Sequence, residues 1–111
     1  MCRALQVLCA AADRDRLGEL KRAAVSVEYE LTGGATDPES LLAQVEELEP
    51  DAVVVDGSLG MEAIEALRAA YPSLRIVVVG VEAEAADDWV RGDEDVRAAV
   101  LGIPRPGGPV R

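Results

Sequence analysis

Asp51-Ala52-Val53-Val54-Val55-Asp56-Gly57-Ser58-Leu59-Gly60 is the stretch whose reading decides the fold. Three consecutive valines follow Pro50 and Ala52 and run straight into Asp56. A short, β-branched apolar run between a proline and a glycine reads as a strand buried on both faces. An acidic residue at the carboxyl end of such a strand sits where open α/β sheets place their ligand and reaction sites. Asp56 is therefore the first candidate for function.

Outward from this strand, helical and strand patterns alternate. On its amino-terminal side, Asp37-Pro38 supplies a helix N-cap followed by proline at the first helical position, and Leu41, Leu42, Val45 and Leu48 form an apolar stripe. Residues 25–31 (VSVEYEL) alternate apolar and polar, as a half-exposed strand at a sheet edge does. Asp13 offers a second N-cap, ahead of Leu17, Leu20 and Ala24 at helical spacing. Residues 4–10 (ALQVLCA) make a first buried strand. On the carboxyl side, Met61, Ile64 and Leu67 define a third helix, with Glu65 and Arg68 spaced to pair across one turn. Residues 74–81 (LRIVVVGV) form a fourth strand. An acidic segment over residues 82–95, with Trp89 and one short helix, leads to a fifth apolar run within residues 96–103. This alternation specifies a single α/β domain, a parallel sheet covered by helices on both faces. The domain is expected over residues 1–106, with residues 107–111 as a Pro/Gly tail or linker.

Composition narrows the function. The 111 residues carry a net charge of −10, which argues against direct nucleic-acid binding and against docking on an anionic membrane. No apolar run approaches a membrane span, and no secretory signal is visible. The chain has no histidine, so histidine-based triads and most zinc catalysis are excluded. Cys2 and Cys9 are too few and too close for a disulfide framework or zinc site, and the cytoplasm is the expected compartment. A dinucleotide site needs a glycine-rich turn after the first strand. Here that turn is Ala10-Ala11-Ala12-Asp13, and no GK[ST] motif occurs.

Alternating βα units, the EPDAVVVDGSL sequence and the later PSLRIVVV together resemble the receiver domain of two-component response regulators, over nearly the whole chain. The resemblance implies a flavodoxin-like, doubly wound five-stranded parallel sheet of order 2-1-3-4-5 in a three-layer sandwich. It also implies that Asp56 is the phosphoacceptor, helped by an acidic Mg²⁺-binding pair after strand one, a Ser or Thr ending strand four, and a Lys and an aromatic on strand five. The helpers are largely missing. Ala11 and Ala12 fall at the acidic pair, and Asp13 lies one place further on. Gly80 falls at the Ser/Thr position. The sole lysine is Lys21 on the first helix, so Arg105-Pro106 is the nearest stand-in for the usual Lys-Pro, and no aromatic falls on the fifth run.

Three functions follow from these residues. The leading one is a pseudo-receiver, not an enzyme, which signals through a protein partner or a second copy without phosphotransfer and without a cofactor. Another is a phosphorylatable receiver in which Asp13 and Asp56 share Mg²⁺. The last is a small-ligand sensor using a crevice lined by Ala11, Ala12, Gly57 and Gly80. Asp56 could equally cap its own loop. Because little chain follows the fifth run, the last helix of the fold is expected to be absent. The patch it would leave over strands one and five, with Trp89 and Arg105, is the expected interface.

Overall fold

The structure, a computed structural model, describes residues 5–102. Its sheet contains β1 (Leu5–Ala10), β2 (Tyr29–Leu31), β3 (Ala52–Asp56), β4 (Arg75–Val79) and β5 (Asp88–Val90). All pairings are parallel, in the order β2-β1-β3-β4-β5. The helices are α1 (Arg14–Ala24), α2 (Pro38–Leu48), α3 (Met61–Ala70) and α4 (Val96–Leu101), with 3₁₀ turns at Gly57–Leu59 and Asp93–Asp95.

The sheet order, the doubly wound architecture and both predicted N-caps are as the sequence indicates. The Asp13 carboxylate accepts from the Arg16 amide at 3.3 Å, and that of Asp37 from the Ser40 amide at 2.7 Å. These bonds satisfy amides that the first turn of a helix leaves unpaired. Strand periodicity then sorts the core into two layers. Val7, Cys9, Val54, Val77, Val79 and Val90 pack with Leu17, Leu20, Val96 and Val100 of α1 and α4. Leu8, Val53, Val55, Ile76 and Val78 pack with Leu41, Val45, Ile64 and Leu67 of α2 and α3.

Three expectations are corrected. The edge strand is shorter than residues 25–31: Val25 caps α1, and Val27 is fully exposed. The Ser26 hydroxyl accepts from the Glu28 amide at 3.1 Å, which turns the chain before β2 begins. The fifth strand is Asp88–Val90, inside the acidic segment, while the apolar run at residues 96–101 is helical. Val96, Ala99 and Val100 recur at helical spacing and are buried against the sheet. The helix after the last strand is therefore present as α4, and the patch expected to lie open is covered. The connection without an α-helix is instead the crossover from β4 to β5, residues 80–87. Residues 1–4 and 103–111, including Cys2, Arg105 and the expected tail, lie outside the described residues. No helix of the described residues is long and apolar enough to cross a membrane.

Candidate functional site

Residues 52, 54 and 56 of β3 point to the face that α1 and α4 cover, because side chains alternate along a strand. Asp56 ends the strand opposite Val79 of β4 and is 8 % exposed. One carboxylate oxygen, Oδ2, accepts from the Ser58 amide at 3.1 Å and so caps the 3₁₀ turn that follows. The Ser58 hydroxyl accepts from the Ala12 amide at 3.2 Å, which ties this turn to the loop after β1.

The other oxygen, Oδ1, accepts from Nε of Arg16 at 2.9 Å. Arg16 sits in the first turn of α1, three residues beyond the Asp13 cap, and so faces the carboxyl ends of the strands. Its two terminal nitrogens donate to both carboxylate oxygens of Asp93, at 2.8 and 2.7 Å, in a bidentate fork. Nη1 also lies 3.3 Å from Glu19. One guanidinium thus joins α1, the end of β3 and the 3₁₀ turn that leads into α4.

The electrostatics follow from this contact. Burial pushes the Asp56 carboxyl up, but bonds from the Ser58 side chain and amide and from Arg16 more than offset it, leaving the group below the usual carboxylate range. Arg16 is held more firmly protonated than a free arginine, chiefly by Asp93 and then, against the cost of burial, by Asp56. The site is a satisfied cluster of one cation between two anions.

A divalent cation does not fit this donor set. Mg²⁺ is held through carboxylates and retained waters. Asp56 already has both oxygens engaged, the two positions before Asp13 in the loop after β1 are Ala11 and Ala12, and Asp13 itself caps α1. Among the described residues, no three carboxylate, thiolate or imidazole groups cluster as metal ligands.

The crevice residues do border the strand ends. Ala11 is buried, and its amide donates to the Ala35 carbonyl at 3.1 Å. Ala12 is exposed beside Ser58. Gly57 meets the β4–β5 crossover so closely that an added Cβ would lie 2.8 Å from a Val81 methyl. Gly80 takes φ +95°, a left-handed conformation that suits glycine, and its amide donates to the Val90 carbonyl at 2.7 Å. This bond helps pull the short crossover back onto β5.

Moving the fifth strand relocates two further features. Trp89 is the aromatic of β5, half-buried on the α2/α3 side. The residue that follows the strand is Arg91, whose guanidinium lies 5.8 Å from the centre of the Trp89 ring. Sequence reasoning passed over Arg16 and Arg91 and placed Asp93 only within a solvated acidic segment. Arg16 alone left a signal, as a cation in the first turn of the helix that opens beside Asp56.

No protein-family model matches the chain, and no curated protein does. Solved structures do. The signal receiver domain of the putative response regulator NarL from Mycobacterium tuberculosis superposes with a TM-score of 0.74 at 17 % identity, over 91 % of this chain and 96 % of that one. A response regulator receiver domain protein (CheY-like) from Methanospirillum hungatei JF-1 gives 0.73 at 17 %, over 90 % and 93 %. The isolated receiver domain of RcsB from Salmonella enterica serovar Typhimurium gives 0.59 at 22 %, over 68 % of this chain and 59 % of that one. The chain has the fold of the response-regulator receiver domains.

Proposed function

We propose that this chain is a receiver-fold signalling module that acts through protein contacts and does not transfer phosphate to Asp56. The observation that carries this reading is the Arg16 guanidinium, bound to Asp56 at 2.9 Å and to Asp93 at 2.7 and 2.8 Å. Phosphorylation of a carboxylate requires one of its oxygens to attack phosphorus while a metal ion screens the repulsion between two anions. Here one oxygen is bound by Arg16 and the other by the Ser58 amide. A side chain of the protein already neutralises the carboxylate, and the metal-binding pair is replaced by Ala11 and Ala12. The same ion pair joins α1 to the turn before α4, as a fixed strut. In this reading the module needs neither Mg²⁺ nor another cofactor, and its output surface is permanently presented to a protein partner.

Amide-resonance titration with Mg²⁺ and beryllofluoride tests the reading. The expected result is no saturable shift at Asp56, Gly57 or Ser58. Saturable shifts there, lost in Asp56→Asn, would establish a working phosphoacceptor instead.

A further inference from the structure

The β4–β5 crossover leaves the layer over one side of the sheet incomplete. A parallel crossover generally takes about a dozen residues or more and usually carries a helix. Residues 80–87 carry none, so among the described residues α3 has no helical neighbour on that flank. Between α3 and the crossover lies a groove of about 360 Å³, lined by Met61, Glu65, Glu82, Glu84 and Ala85. Met61 and Glu65, four residues apart, share one face of α3. Met61 is 41 % exposed, and Val81, which precedes Glu82, is 38 % exposed.

The groove's charge is unanswered from within. Glu65, Glu82 and Glu84 make no ion pair among the described residues. Arg68, spaced to pair with Glu65, turns away instead. It donates to the carbonyls of Ala85, Pro72 and Leu74 at 2.8, 2.8 and 2.9 Å, and to Asp87 at 2.6 Å. That contact fixes the far wall of the groove without neutralising it.

We infer that this groove docks a basic amphipathic helix of a partner protein, which lies beside α3 where the missing crossover helix would complete the layer. Apolar residues of the incoming helix cover Met61, Ala85 and Val81, and its lysines or arginines meet the three glutamates. Charge selects this occupant. A second copy carries the same net charge of −10, and nucleic acid and anionic lipid are repelled by the same carboxylates. The inference names the partner class for the interaction module proposed above and depends on that reading.

The test uses the full chain and a dye-labelled synthetic amphipathic helix of leucine and lysine, read by fluorescence anisotropy and amide-resonance mapping. The expected result is saturable binding, with shifts centred on Met61, Glu65 and residues 82–85. Substituting Glu65→Gln, Glu82→Gln and Glu84→Gln together weakens it about tenfold. A control with equal charge loss on α2, Glu39→Gln, Glu46→Gln and Glu47→Gln, leaves it within about twofold. Equal weakening by both triple variants would overturn the inference in favour of diffuse attraction to an acidic surface. Saturable binding centred elsewhere would overturn the groove while leaving an interaction module standing.

Discussion

At the scale of single residues, Arg16 determines the character of the site. An arginine between two carboxylates in a partly buried setting stabilises through geometry as well as charge, because its fork matches a carboxylate edge. Asp56 is 8 % exposed with Arg16 bound to it, and Arg16→Ala leaves this carboxylate without its cation. The expected cost is about 2 kcal/mol, the worth of hydrogen bonds to charged groups, measured by urea denaturation. In the same variant the Asp56 carboxyl, followed by carbon-detected resonance titration, moves up toward its ordinary value, because one of the interactions favouring its charged form is gone. The pH dependence has a definite sign. Asp56 and Asp87 both titrate below the usual carboxylate value of 3.8 in the folded protein, since their hydrogen bonds and arginine partners outweigh burial. A depressed carboxylate stabilises the fold above its unfolded pKa, and that stability is lost as pH falls through the lower folded value. Chemical denaturation in steps from pH 6 to below 3 is expected to show this acid-side decline. In Asp56→Asn the decline becomes shallower; an unchanged slope would remove Asp56 from the account.

At the scale of elements, the β4–β5 crossover depends on side chains where other connections depend on a helix. Asp87 bonds Ile76 in both directions: its amide donates to the Ile76 carbonyl at 2.9 Å and its carboxylate accepts from the Ile76 amide at 2.8 Å. Arg68 holds that carboxylate and the Ala85 carbonyl from α3. Arg68→Ala is expected to speed amide exchange across residues 81–87 while α1 and α2 keep their protection, with a stability loss of about 2 kcal/mol. Glu65→Ala, which removes no ion pair, is expected to stay within about 0.5 kcal/mol. The opposite edge is anchored differently, by the Tyr29 hydroxyl donating to the Ala24 carbonyl. At the start of β4, Arg75 donates to the Ala99 and Val100 carbonyls at 2.6 and 3.3 Å and so ties the end of α4 to the sheet.

At the scale of the whole molecule, the central strands are closed on both faces, and Cys9 reports on that closure. It is free, 1 % exposed and near the middle of the sheet; burial pushes its thiol up to about 12, against the opposing charge of Lys21. Only the thiolate reacts readily. Mass-mapped alkylation is therefore expected to spare Cys9 in native buffer and to modify it in proportion to the unfolded fraction in urea. Modification well below the unfolding transition would mean that α1 or α4 opens independently of the sheet.

Much of this was legible in the chain itself. Hydrophobic periodicity placed β1, β3, β4 and the first three helices, since those patterns reflect burial on one stripe or on both faces of a strand. Asp13 and Asp37 were readable as caps because capping is local chemistry. The run at residues 96–101 was ambiguous, because a short apolar segment suits a buried strand or a helix until the rest of the sheet claims one of them. Three strand residues in an acidic segment, Asp88-Trp89-Val90, won the sheet edge through pairing with Val77, Val78 and Val79. Neither choice can be made from neighbours in sequence. The sequence by itself determined an α/β domain built around an Asp-terminated buried strand. Only the tertiary structure decided that Arg16, from forty residues away, binds Asp56, and that the incomplete layer lies beside α3. The physical reason is the same for both: ion-pair partners and layer neighbours are set by where elements pack, which spacing along the chain does not encode.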